Sequence, residues 1–247
     1  MDCGGIVVLY IKKIQPSSEV IYEISRVRRD QKSLIDKQTP QSLREAFNRL
    51  DKSIIRDSLI AEQHGLCAYC MRRIENNSDM TIEHWRPIEQ NLEGAMEYSN
   101  MLGVCDGGRK MNDYASDEDT HVLCCDASKG NREIVINPLN KTHMELIRYD
   151  SEGKIYTYPE DETLEKDINE VLHLNGEKGF DTNTRLIWNR REAYRSYERF
   201  IRGESSGEKP SPSIIRKKIR QIEEQKIYDE FAGVVLYFLK RRLRQLK

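Results

Sequence analysis

Two cysteines separated by two residues, Cys67 and Cys70, restrict what this chain can fold into more than any other feature. A Cys-x-x-Cys turn points both sulfurs at one ion, and a tetrahedral centre then needs two further ligands from elsewhere. Cys105 supplies one, and Cys124 or Cys125 the other. Cys125 is preferred because it directly precedes Asp126-Ala127-Ser128-Lys129, which reads as a helix start. Neighbouring residues in extended chain point to opposite sides, so both cannot serve one ion, and Cys124 is then a small buried hydrophobe. His121 is the reserve ligand, and Cys3 is assigned nothing. The apolar run Ile6–Ile11 stops at Lys12 and Lys13, too short for a membrane span and without a cleavage pattern. The expected location is therefore the reducing cytoplasm, away from membranes, where such cysteines bind zinc rather than pair as disulfides.

The same stretch carries groups suited to proton and cation chemistry. Met80-Thr81-Ile82 reads as a strand leading into Glu83-His84, with Pro87 fixing the turn that follows. An imidazole can take a proton from water, and an adjacent carboxylate can hold a hard cation. Asn100 can tie the returning loop together. Asp126 can cap its helix or hold a metal from it. Lys129, about one turn further on, and the exposed-type Arg86 are candidate contacts to a phosphate.

Around this centre the patterns are mostly helical, so the expected class is α+β with a central stapled core between helices. Residues 1–65 read as a strand (Ile6–Ile11) and helices from Ser18, Pro40 and about Ser53, the last stopped by His64-Gly65. Residues 66–135 form the core. A short strand, Ile134–Pro138, spans the boundary to residues 136–247, which continue with a hairpin from His143 to Tyr158. Helices from Leu164 and Arg185 follow, then a Gly/Ser/Pro-rich linker at 203–213. A basic helix from Ile214 closes the chain, with Gly233 as its kink. Asp106–Thr120 is expected to be a surface loop whose base the metal holds shut. The formal net charge is −1, so any nucleic-acid footprint is local and the isolated chain is expected to bind nucleic acid weakly.

The set Cys67-x-x-Cys70, Glu83-His84-x-x-Pro87, Asn100, Cys105 and Cys125-Asp126-x-x-Lys129-Gly130 resembles the HNH endonucleases and their ββα-metal fold. Asp126 stands where that family usually has Asn or His, and the second cysteine pair is split by 19 residues. The run Glu62-Gln63-x-x-Leu66-Cys67-Ala68-Tyr69-Cys70 with Cys-Asp-Ala-Ser-Lys-Gly is most similar to PtuB-type nucleases of Septu and retron anti-phage systems. The resemblance implies His84 as general base and Glu83 and Asp126 as ligands of Mg²⁺ or a similar ion. It also implies Asn100 as the loop brace, and Cys67, Cys70, Cys105 and Cys125 around structural zinc. It further implies a PtuA-type ATPase partner, possible company of a retron reverse transcriptase with its DNA/RNA product, and a DNA or RNA (including tRNA) substrate. The competing expectation is a non-catalytic zinc module that binds nucleic acid or a partner protein.

Overall fold

Local capping chemistry sets the helix starts of the N-terminal third. The computed structural model describes residues 10–76, 79–112, 122–177, 181–182, 184–204 and 207–246. Ser17 accepts from the Val20 amide and opens α1, Ser18–Asp30, which buries Val20, Ile24 and Val27. A short α2, Lys32–Ile35, follows. Thr39 and Ser42 form a reciprocal capping box at the head of α3, Pro40–Phe47, with proline at the first turn. Asp51 caps α4, Lys52–Glu62. His64 and Gly65 then both turn left-handed, and the Gly65 amide returns to the Ile60 carbonyl at 2.8 Å. That stop delivers the chain into Cys67.

Strands β1, Met80–His84, and β2, Met101–Cys105, pair antiparallel, with Met80 opposite Cys105 and His84 opposite Met101. Gln63 locks the cysteine turn onto this hairpin. Its amide donates to the Leu66 and Gly103 carbonyls at 2.8 and 2.7 Å, and its oxygen accepts the Gly103 amide at 2.7 Å. Beyond β2 come α5, Arg109–Asn112, and α6, Cys125–Lys129, the latter against β2. Two strands and one short helix therefore meet beside the cysteine turn.

The remainder is α7, Lys141–Leu146, a second hairpin of β3, Ile147–Tyr149, and β4, Ile155–Thr157, and α8, Glu162–Lys166, which continues as a π-helical turn, Asp167–Val171. Helices α9, Leu186–Arg202, α10, Pro212–Glu223, and α11, Ala232–Gln245, close the chain. About half the chain is helical and the sheets are small, which agrees with the mostly helical α+β class. One continuous apolar core runs from Ile11 through the cysteine turn to Leu239 and so joins all three expected segments. Each fully buried aliphatic side chain in it contributes ~1.5–3 kcal/mol. The 224–231 turn is pinned to the cysteine turn: the Phe231 amide donates to the Met71 carbonyl at 3.1 Å, and the Arg73 amide to Glu230 at 2.8 Å.

Several local expectations change. Tyr10 and Ile11 form no strand, and residues 6–9 of the expected strand lie outside the described residues. Ile134–Pro138 is not a strand either, because the Asp167 carboxylate takes the Val135 and Ile136 amides at 2.5 and 2.8 Å where a partner strand would be needed. His143–Leu146 belongs to α7, so the hairpin starts only at Ile147. The last segment breaks between Glu223 and Ala232 rather than kinking at Gly233, which is the second residue of α11. Arg190 on α9, a residue type that normally stays solvated, is buried and donates to the Gly153 and Leu174 carbonyls at 2.6 Å each.

Candidate metal centre and active site

Four sulfurs converge where the cysteine turn, the end of β2 and the start of α6 meet. The ligand atoms of Cys67, Cys70, Cys105 and Cys125 all lie within 4.8 Å of one another, and all four residues are buried. Cys67 and Cys125 are 3.9 Å apart at sulfur, and Cys70 and Cys105 are 3.6 Å apart. A metal with ~2.3 Å arms to four tetrahedral sulfurs has edges of about 3.8 Å, so this set can hold an ion such as zinc. Burial pushes the Cys70 thiol well up, and a cation at the centre would favour its thiolate.

The choice between Cys124 and Cys125 is made by a sharp change in backbone. Cys124 is extended, while Cys125 turns left-handed at φ 55°. Their sulfurs part accordingly. Cys125 joins the cluster, whereas Cys124 lies 3.5 Å from the Thr184 hydroxyl and 3.7 Å from the Gly107 carbonyl. A left-handed non-glycine residue costs on the order of 1–3 kcal/mol and persists where its surroundings impose it. His121 and Cys3 lie outside the described residues.

One residue along α6, at Asp126, and on the neighbouring strand β1, the polar groups meet. Glu83 is buried on β1 and its carboxylate holds the Lys129 ammonium at 2.6 Å, with the Tyr69 hydroxyl donating at 3.3 Å. Burial pushes the Glu83 carboxyl up to about 8, Lys129 pulls it back, and the neighbouring Asp126 carboxylate pushes it up again. Asp126 sits in the first turn of α6, and both terminal nitrogens of Arg109 reach its Oδ2 at 3.1 Å. The two carboxylates are thus neighbours, each facing a cation of the chain itself.

His84 ends β1 under the edge of the Phe47 ring, 4.7 Å away. Its Nε2 lies 2.9 Å from the Ala95 carbonyl. A carbonyl only accepts, so Nε2 carries the hydrogen and the neutral ring keeps a bare lone pair on Nδ1. Burial lowers the imidazole below its usual value, and the nearby Lys129, Arg44 and Lys52 charges act the same way. Asn100 clasps the loop after β1 in both directions: its oxygen accepts the Arg86 amide at 2.9 Å, and its nitrogen donates to the Arg86 and Gly94 carbonyls at 3.0 and 3.3 Å.

Glu83, Asp126 and Lys129 therefore lie together; His84 follows on β1 with its ring against Phe47 and the Ala95 carbonyl, and Asn100 holds the loop after it. Lys129 is not the surface phosphate contact that the sequence suggests. Its side chain is 0% exposed and its ammonium serves Glu83 and, at 3.4 Å, the His84 carbonyl. Arg86 is exposed, with its guanidinium 5.5 Å from the centre of the Trp85 ring, apart from the carboxylates. Sequence reasoning missed Arg109, Tyr69 and the Ala95 carbonyl. Tyr69 carried a faint signal as the polar residue inside the cysteine turn. Arg109 lies in a Gly- and Asp-rich stretch with no periodicity, and a backbone carbonyl has no sequence signature. No protein-family model matches the chain, and no curated protein matches it.

Proposed function

We propose that this chain is a metal-dependent endonuclease that hydrolyses phosphodiester bonds, with DNA favoured over RNA, as the effector of an anti-phage complex. The reading rests on one observation above the others. His84 is fixed by the Ala95 carbonyl in the tautomer that leaves Nδ1 as an acceptor, one residue from a buried carboxylate that adjoins a second. A positioned base contributes typically 10²–10⁴-fold to such a reaction.

In this reading His84 Nδ1 takes a proton from water as the water oxygen forms its bond to phosphorus, and one ester P–O bond breaks. Asn100 holds the loop that carries the Ala95 carbonyl close to the ring, since it bonds Gly94 directly. Glu83 and Asp126 form the ligand pair, because two adjacent carboxylates suit a hard divalent ion such as Mg²⁺. When bound, that ion supplies Lewis-acid stabilisation of charge on the phosphate and leaving oxygen. The four cysteines around zinc keep β2 and α6 in register with β1, so the base and the carboxylates are held by a staple that takes no part in the chemistry.

The second reading, a zinc module that only binds nucleic acid or a partner, is favoured by the complete burial of the Lys129–Glu83 pair. A binding module has no use for an oriented, buried imidazole together with two adjoining carboxylates, so the nuclease reading ranks first. The expected partners are an ATPase of the PtuA type and, in a retron setting, a reverse transcriptase with its nucleic acid. Helices α1–α4 and α9–α11 would offer the docking surface. The test is cleavage of plasmid, linear duplex and total RNA by the chain co-purified with its genomic-neighbour ATPase, with and without Mg²⁺. Cutting that needs both Mg²⁺ and His84 supports the reading. A folded, partner-bound preparation that cuts none of the three under any divalent metal overturns it.

A further inference from the structure

Charge compensation around the two carboxylates is uneven. Glu83 faces Lys129 and Asp126 faces Arg109, so each carboxyl group already has one of the chain's own cations beside it. A divalent ion entering that set meets no net attraction unless one of the chain's cations moves away. The two cations differ in their freedom to do so. Lys129 is 0% exposed and its ammonium also reaches the His84 carbonyl, so it cannot leave without moving α6. Arg109 has a side chain 47% exposed and touches Asp126 from the solvent side. Both of its contacts fall on one oxygen, Oδ2, rather than bridging both oxygens in a fork-to-fork pair. A guanidinium is better satisfied by two oxygens of a phosphate, which its fork matches.

We propose that Arg109 competes with the divalent cation for Asp126, and that the displaced guanidinium becomes the phosphate contact of the site. Cation and substrate phosphate then bind with positive coupling, each releasing what the other needs. This takes over the role that sequence alone suggested for Lys129, and it rests on the proposed nuclease reading for the identity of the cation site. The coupling is reciprocal by necessity: whatever factor the phosphate adds to cation affinity, the cation adds to phosphate affinity.

The experiment measures binding rather than cutting. Mn²⁺ is titrated into the full zinc-loaded chain and free Mn²⁺ is followed by electron paramagnetic resonance, for wild type, Arg109→Gln and Asp126→Asn. Arg109→Gln should bind Mn²⁺ about tenfold tighter than wild type, within the usual span of coupled binding. Asp126→Asn should lose that site. Arg109 is half exposed, so circular dichroism and zinc content should be unchanged in its variant. In a second arm, anisotropy of a labelled 20-bp duplex is followed against salt in the His84→Ala background. Removing Arg109 should lower the salt slope by about one phosphate's worth. Equal Mn²⁺ affinities, weaker binding in Arg109→Gln, or no Mn²⁺ binding in either overturn the competition. An unchanged salt slope overturns the phosphate role. Cleavage enters neither arm, so a chain that cuts can still fail here and a chain that cuts nothing can still pass.

Discussion

The sulfur cluster and the carboxylate pair grow from the same pieces of chain and follow opposite rules. Strand β1 ends in Glu83-His84, β2 ends in Cys105, and α6 opens with Cys125 for one centre and Asp126 for the other. The sulfurs face one another at distances that already match a metal tetrahedron. The carboxylates face an ammonium and a guanidinium. Buried anionic ligands without their ion are an uncompensated charge that a low-dielectric interior does not tolerate. An ion at the first centre would therefore be expected to bind as the chain folds. The second is compensated from within and stands without an added ion.

That contrast can be broken first at the sulfurs. Structural zinc of this ligand type carries on the order of 10 kcal/mol of apparent binding energy, so Cys67→Ser and Cys125→Ser should yield unfolded or insoluble protein. Cys124→Ser should stay folded and keep a full zinc complement, because its sulfur reaches the Thr184 hydroxyl and is not one of the four that converge within 4.8 Å. Elemental analysis beside a circular dichroism melt decides this. Well-folded, zinc-free wild-type protein would remove the staple altogether.

At the other centre the fold should survive and chemistry should go. His84→Ala should cut about 10²–10⁴-fold more slowly while keeping zinc and melting temperature, as measured by initial rates on a fluorescent substrate. Wild-type rates from this variant would end the general-base assignment.

The internal compensation can be sharpened at Lys129. Removing one partner of a buried ion pair costs about 3–5 kcal/mol, so Lys129→Met should show a urea midpoint well below wild type. The pH trend has a definite sign. The folded Glu83 carboxyl lies at about 8, above its ordinary 4.5, so what its proton contributes to stability is fully present below 4.5 and is lost as pH rises through about 8. Without the ammonium that loss should be larger, so the penalty of Lys129→Met should grow from pH 6 to pH 9. A penalty that shrinks over that range would mean that Lys129 does not compensate Glu83.

The smallest effect expected is a displaced acid limb. His84 acts as its neutral form and burial lowers it from 6.5, so cleavage should hold steady down through pH 6.5 and fall about tenfold per pH unit only further below. Stability should follow the same sense. The folded imidazole binds less proton than the unfolded one, so its contribution is intact above 6.5 and is lost as pH falls. A rate that falls off already at pH 7 would place the titrating base elsewhere.

Most of what is local was legible in the residues. The cap at Thr39, the stop at His64-Gly65, the strand leading into Glu83 and the ligand identity of the cysteine pair each depend on a few consecutive side chains acting on nearby backbone. Those interactions form in one way whatever the rest of the chain does. The fourth sulfur of the cluster is that of Cys125, the residue preferred from its position at a helix start. What turns it there is the left-handed backbone at that residue, which the hydrogen bond from its amide N–H to the Leu172 carbonyl at 3.0 Å helps to hold.

What only the tertiary structure decided are partnerships across long stretches of chain. Asp167 replaced a strand partner for Val135 and Ile136. Arg190 went inside to two carbonyls. Lys129 reached Glu83 across 46 residues, and Arg109 reached Asp126 from a stretch with no periodicity. A lysine or arginine in sequence looks solvated wherever it stands, because its long stem can reach either water or a buried acceptor. Which one it reaches depends on where packing of the whole core leaves an unsatisfied oxygen, and that is set by the fold and not by its neighbours in the chain.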